Sequence, residues 1–340
     1  MAIHRRQPEE TSDEWQPERT TTKAVVYPNY GSSDVVRTTE VEKPTPGDDE
    51  LLIRVHETVV TQADMHFRTG TPLVARLFAG IRRPKKRPGG EFAGGIEAVG
   101  KDVTLFETGD RVFGSTVPGM GGHAEYVCLP EDGVIATIPA GMTDEDTAGV
   151  CDGGLTALYF LRDKANIQRG QRVLINGASG SVGSYAVQLA DYFGAHVTGV
   201  CSTANVELVR SLGADEVIDY TEAEFTERAE TYDIVFDAVG KSSFSRCKRV
   251  LAPKGVYLTT VASPTVLLQM TWTMRRGKRA IFAAAGLHQR TDDLLFLRER
   301  IETGEITAVV DRRYPFEEIA EAHRYVEGEH KKGAVVIALE

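Results

Sequence analysis

Residues 172–183 read Arg-Val-Leu-Ile-Asn-Gly-Ala-Ser-Gly-Ser-Val-Gly, an apolar strand running into regularly spaced glycines and then into a helical pattern. That arrangement suits one task, gripping a pyrophosphate. Gly177 and Gly180 permit a tight turn and let the backbone approach the anion, while Gly183 lets the following helix pack closely on the strand. Ala178, Ser179, Ser181 and Val182 complete the turn and the helix start, whose unpaired N–H groups and positive dipole end face the anion. A glycine string alone also serves as a plain helix-packing turn. The strand before it and the β/α units after it favour a dinucleotide.

The kind of dinucleotide is set at the end of the second strand, where an acidic side chain would hydrogen-bond the 2′-hydroxyl of NAD. Here the stretch is Gly199-Val-Cys-Ser-Thr203 and carries no acid. Ser202, Thr203 and Asn205 are small polar groups able to bond a 2′-phosphate, and Arg210 adds a charge if its helix face allows. Tyr220, after the next strand, would cover the adenine edge or bond the phosphate. NADP(H) is therefore expected ahead of NAD(H), which stays admissible. Ser202 and Thr203 serve equally well as caps of the next helix.

The soft ligands are sparse. Cys128, Cys151, Cys201 and Cys247 are far apart, which predicts reduced thiols in a cytoplasmic setting and no closed metal site. His66 has no Cys or second His nearby and reads as a surface or packing residue. His123, in a glycine-rich turn, reads as packing, with a cleft position as the alternative.

The elements that must position these residues fall into two styles. From Lys23, short β-rich runs (KAVVY, LLIRVHETVV, EFAGGIEAVG, DRVFGST, AEYVCLP) alternate with Gly/Pro turns and predict a mostly antiparallel, barrel-like lobe. Beyond Asp144, helical patterns alternate with apolar strands (RVLING, HVTGVCS, EVIDY, YDIVFDAVG, GVYLTTVAS), which predicts a parallel sheet covered on both faces. The helix after Gly183 should end at Gly194. A last helix and a strand from Ala334 suggest that the C-terminus returns to the first lobe. At 340 residues, two domains or one inserted in another is the expected organisation.

Composition narrows the function. With 41% hydrophobic and 26% charged residues the chain is an ordinary globular protein. Its formal net charge of −10 argues against nucleic acid, whose phosphates need Lys and Arg. Residues 1–22 read as a polar tail without a secretory or transit pattern. Apolar runs such as Thr265–Met274 are shorter than the roughly 20 residues of a membrane span, so no integral membrane segment is expected.

The ordered set EFAGGIEAVG, GDRVFG, GGLTALYFL, VLINGASGSVGSYAVQLA, SLGADEVIDY, DIVFDAVG and AEAHRYVEGEHKKGAVVI resembles the medium-chain dehydrogenase/reductase superfamily, in its zinc-less quinone oxidoreductase branch. The resemblance implies a GroES-like β-rich catalytic domain (23–145 and 286–340) with a Rossmann dinucleotide-binding domain (146–285) inserted, an α/β fold, and a homodimer. It places Thr61, Gly90 and the Cys151–Asp152 pair where zinc-holding relatives keep their ligands, so no metal is expected. It sets Thr61 and Asp64 in the substrate segment and Asp152 beside the nicotinamide, with a helix cap as the other role for Asp152. Thr156, Val239, Val261 and the stretch 282–286 then line the cofactor. The implied activity is metal-free, NAD(P)H-dependent reduction of quinones or α,β-unsaturated carbonyls by direct hydride transfer. An alcohol dehydrogenase with atypical zinc ligands and a non-catalytic NADPH sensor stay open beside it. Two segments join apolar to basic runs: 71–88, a lid, an anion funnel or a solvated loop, and 264–279, a cleft wall, dimer face or membrane-surface contact.

Overall fold

The computed structural model describes residues 20–71, 73, 75–85, 87–273, 277–328 and 331–339. Most of the expected polar tail lies outside these residues. Its last three residues do not: the first strand opens at Thr21, and Thr22 is buried with its hydroxyl bonding Glu125 at 2.9 Å.

The first half holds β1 (Thr21–Val26), β2 (Arg37–Glu42), β3 (Glu50–Val59), β4 (Glu91–Val99), β5 (Arg111–Ser115), β6 (Tyr126–Pro130) and β7 (Ile135–Thr137). Then come β8 (Arg172–Asn176), β9 (His196–Cys201), β10 (Glu216–Asp219), β11 (Tyr232–Asp237), β12 (Leu251–Thr259) and β13 (Arg279–Phe282), before β14 (Val310–Pro315) and β15 (Ala334–Ala338). Among the described residues, β14-β15-β3-β4-β5-β7 form one sheet with β6 added on β3. It is antiparallel apart from the β14–β15 pair, and β15 pairs with β3, Val336 opposite Val59. Both ends of the chain thus build one β-rich lobe, as the returning C-terminal strand predicts.

β1 and β2 pair as a separate antiparallel ribbon, and a six-stranded sheet is parallel, in the order β10-β9-β8-β11-β12-β13. Its inner strands, such as Val-Leu-Ile in β8 and Ile-Val-Phe in β11, are buried on both faces and are accordingly apolar without alternation. The helix Ser181–Tyr192 covers one face through Ala186, Val187, Leu189 and Ala190, and the chain leaves it at Gly194 in the left-handed conformation (φ 74°). It starts at Ser181, earlier than the apolar period alone suggests. Strand order reverses between β8 and β11, and in open parallel sheets the crevice beyond the carboxyl ends at such a point holds the ligand. No helix among the described residues is long and apolar enough to cross a membrane.

Candidate active site

At the carboxyl end of β8 the chain turns at Gly177 with φ 81°, a conformation that excludes ordinary side chains. A Cβ there would lie 2.4 Å from Cγ1 of Val239, which follows β11, so the loops on either side of the switch point touch. At Gly183 a Cβ would sit 2.0 Å from the Gly177 carbonyl oxygen, so the helix packs on the turn only as glycine. Gly180 differs. It has an ordinary extended backbone (φ −79°) and a Cβ would come no nearer than 3.4 Å to Gly177 O. The fold itself leaves Gly180 free to carry a side chain, with open space in front of the helix start. Val239, against Gly177, and Val261, against Gly240, both stand exposed.

Ser179, Ser202 and Asn205 converge. The Asn205 amide donates to Ser179 Oγ at 3.1 Å and to Ser202 Oγ at 3.2 Å, while its Oδ1 is buried without a hydrogen-bond partner. A buried acceptor left without a partner beside two hydroxyls is a polar group the fold has not satisfied internally. Thr203 is not part of this cluster; its hydroxyl meets that of Thr221 at 3.1 Å, and the Asp219 carboxylate binds both. Neither Ser202 nor Thr203 supplies a side-chain cap to the next helix turn, which disposes of that role here. Arg210 pairs with Glu207 on its own helix, both exposed. Tyr220 is more than half exposed beyond β10.

Packed on the helix that follows the glycine turn is the helical stretch 150–164, wide-turned at Val150–Gly154 and Tyr159–Lys164 around Leu155–Leu158, which carries Thr156. Such wide turns favour functional positions. Gly153 brings the stretch against the helix Ser181–Tyr192: a Cβ there would meet Ser181 O at 2.7 Å. Asp152 lies inside the first turn and makes no cap bond, so it does not cap a helix. Behind it Glu91, the buried first residue of β4, accepts Gly149 N–H at 2.7 Å on one oxygen and Asp152 N–H at 2.8 Å on the other. Burial and then the charge of Asp152 push the Glu91 carboxyl up to about 8, against the pull of those backbone donors. Burial likewise raises Asp152 to about 6, opposed by the Lys331 ammonium. Lys331 donates to Gly333 O at 2.8 Å, and Gly333 N–H bonds Ser179 O at 2.8 Å, so the C-terminal segment docks on the glycine turn.

Thr61 and Asp64 bond each other. Thr61 is the N-cap of the helix Gln62–Thr69, and Asp64 Oδ2 accepts both Thr61 N–H (3.0 Å) and Thr61 Oγ–H (2.8 Å), a reciprocal capping box. The other Asp64 oxygen accepts Gly89 N–H at 3.1 Å, fixing the loop that carries Pro88. Pro88 helps to line a pocket of about 510 Å³, open mouth included, with Tyr27, Phe67, Val117, Met120, Leu287 and Arg87 among its walls. The walls come from the β-rich lobe and, through Leu287, from the segment just after β13. Neither Thr61 nor Asp64 is among its walls; they support one. Behind Tyr27 lies a buried polar group that the sequence did not disclose. The Tyr27 hydroxyl and His323 Nε2 share a hydrogen bond of 3.1 Å, and the His323 ring meets that of His123 edge-on. Burial, then His123 and Arg68, hold His323 neutral. His123 is fully buried and donates from Nε2 to Val59 O at 2.9 Å, the packing role. His66 bonds Thr71 O within its own turn.

Two family models match this chain: the alcohol dehydrogenase GroES-like domain over residues 47–140 and the zinc-binding dehydrogenase over residues 212–337. The chloroplastic quinone-oxidoreductase QR1 of Triphysaria versicolor is 30% identical, the alignment covering 93% of this chain and 98% of that protein. The mitochondrial NAD(P)H oxidoreductase RTN4IP1 of Mus musculus is 29% identical over 92% of this chain and 88% of its own length. The solved structure of the quinone oxidoreductase from Coxiella burnetii superposes with a TM-score of 0.85 at 26% identity, covering 94% of this chain and all of that one. The chain belongs to the quinone oxidoreductase branch of the medium-chain dehydrogenase/reductase superfamily.

Membership in a superfamily with zinc-binding members makes the donor set of this oxidoreductase worth weighing. A zinc centre wants several thiolate, imidazole or carboxylate ligands converging. Thr61 is spent on a helix cap, Gly90 has no side chain, and the buried Cys151 thiol is pushed well above its usual range by burial and by Glu91 and Asp152, which keeps it protonated. Among the described residues no group of three or more His, Cys, Asp and Glu is placed to hold a metal. The residues do not fit zinc. They do fit a dinucleotide, through the open front of Gly180 and the orphan acceptor of Asn205.

Proposed function

We propose that this oxidoreductase is an NADPH-preferring, metal-free reductase of quinones or α,β-unsaturated carbonyls. One observation carries the reading: an apolar pocket opens in the β-rich lobe beside the segment that follows β13, while the ligand positions for a metal hold a helix-capping threonine, a glycine and a protonated thiol next to a single carboxylate. Without a Lewis acid an acceptor must already be electron-poor, which quinones and enones are. The reduced nicotinamide supplies hydride when bound, and a proton from water completes the reduction. This chain's part is to hold the cofactor at Gly177, Ala178, Ser179, Gly180, Ser181, Val182 and Gly183, to line it with Thr156, Val239 and Val261, and to keep the pocket dry. Asp152 is the polar group at the nicotinamide side; Thr61 and Asp64 position the pocket wall.

The preference for NADP(H) over NAD(H) is supported by the absence of an acid at the end of β9 and by the Ser179 and Ser202 hydroxyls, which accept from the Asn205 amide and keep their own O–H groups to donate, with Thr203 and Tyr220 nearby. Arg210 is withdrawn from this role by its pairing with Glu207. Residues 23–145 with 286–340 are read as the catalytic domain and 146–285 as the cofactor domain, in keeping with the membership of the two sheets. A homodimer is supported by the sheet edge at β13 and the exposed Leu267 and Leu268 on the helix before it. A cytoplasmic setting rests on the dispersed free cysteines. The basic end of 264–279 falls partly outside the described residues.

The test is absorbance at the NADPH band against quinones, enones, aldehydes and alcohols, with and without a chelator. Turnover of electron-poor acceptors that survives chelation supports the reading. Activity on alcohols that is lost on chelation would reverse it.

A further inference from the structure

Arg87 is the only charged side chain among the described walls of the pocket; the rest of the lining is apolar apart from the Tyr27 hydroxyl, which is engaged with His323. Arg87 is exposed, and Arg82, Arg83 and Lys85 stand exposed on the same loop. No ion pair with a carboxylate is found for any of these four among the described residues, and together they put four cations on one short loop at the pocket mouth. Among the described residues no carboxylate lines the pocket either. The nearest acid along the wall, Asp64, is buried and occupied by Thr61 and Gly89.

The chain as a whole carries a formal net charge of −10, so an uncompensated cationic mouth is a local reversal of its field. A low-dielectric cleft rimmed by one sign of charge concentrates ligands of the other sign. A guanidinium at the edge of an apolar pocket pairs with a planar carboxylate or sulfonate in a forked geometry that neither water nor a neutral ring provides.

We infer that the acceptor of this enzyme is an anionic one: a conjugated, apolar ring or enone that enters the pocket between Phe67, Val117 and Leu287 and carries a carboxylate, sulfonate or similar group that stays at the mouth on Arg87. The inference rests on the quinone and enone reading of the same pocket. Arg87 sets which acceptor is held and takes no part in the transfer of electrons or protons.

The experiment compares 1,4-naphthoquinone with 1,4-naphthoquinone-2-sulfonate by steady-state NADPH oxidation, in the wild type, Arg87→Gln and Arg87→Glu, at low and high salt. The readout is the ratio of kcat/KM for the sulfonate to that for the neutral quinone; dividing mutant by wild-type ratios removes the difference in redox potential between the acceptors. The ratio is expected to fall about fivefold in Arg87→Gln, further in Arg87→Glu, and to fall with salt in the wild type, mainly through KM. A ratio that is the same in all three proteins and indifferent to salt overturns the inference while leaving quinone reduction intact. Reduction of neither acceptor, with NADPH still bound, overturns the quinone reading and this inference with it.

Discussion

Glu91 and Asp152 meet at the seam of the two lobes, the Glu91 carboxylate accepting the Asp152 backbone N–H at 2.8 Å while the Asp152 charge adds to the burial that raises the proton affinity of Glu91. The bond ties the first residue of a barrel strand to the helical stretch packed on the helix that follows the glycine turn. The shared burial makes that tie sensitive to pH.

A carboxyl held above its ordinary range binds its proton more tightly in the folded chain than in the unfolded one. Its contribution to stability is complete below the ordinary carboxylate range and is lost as pH climbs through about 6 for Asp152 and then about 8 for Glu91. Asp152→Asn removes one charge and its push on Glu91. Relative to wild type, the variant is expected to gain stability between about pH 5 and about pH 8.5, on the order of 2 kcal/mol, read from melting temperatures across that range. A pH-independent difference would count against the shared site.

The glycines of the turn should separate into two kinds. Gly183→Ala drives a Cβ into the Gly177 carbonyl and should destabilise the fold by on the order of 3 kcal/mol or more, seen as a lower melting temperature. Gly180→Ala meets nothing closer than 3.4 Å and should melt like the wild type. Its cost should fall on NADPH affinity, at least about tenfold by fluorescence titration, because the methyl occupies the space for the pyrophosphate. Unimpaired binding would remove the phosphate from that position.

Ser202→Asp puts an acid at the end of β9, where a 2′-hydroxyl would be bonded and a 2′-phosphate repelled. The ratio of kcat/KM for NADPH over NADH should fall about tenfold or more. No change would place the ribose away from the Ser179–Asn205 pair.

Thr61→Val removes the helix cap and should cost about 1 kcal/mol of stability, measured by urea denaturation. Turnover per folded enzyme should stay within about twofold, since the hydroxyl is bonded to Asp64 and not to the pocket. A far larger loss of kcat, with stability preserved, would return Thr61 to the substrate.

Much of this enzyme is local and therefore readable along the chain. The Gly177–Gly183 turn, the missing acid after β9, the change from antiparallel to alternating β/α style and the Gly194 stop all depend on neighbours within a turn or two. Periodicity and glycine placement report such features directly. Glu91 carried a signal of the same kind, an acid opening the otherwise apolar run EFAGGI, yet its partner could not be read, since Asp152 lies 61 positions away. The same holds for Tyr27 with His323, for Lys331 beside the glycine turn, and for Arg87 at the rim of a pocket whose far wall is Leu287. Spacing shows what a residue can do. Folding alone decides which distant residue it meets and how much water is left between them, and that sets whether a carboxylate, imidazole or guanidinium is a cap, a charge or a binding group.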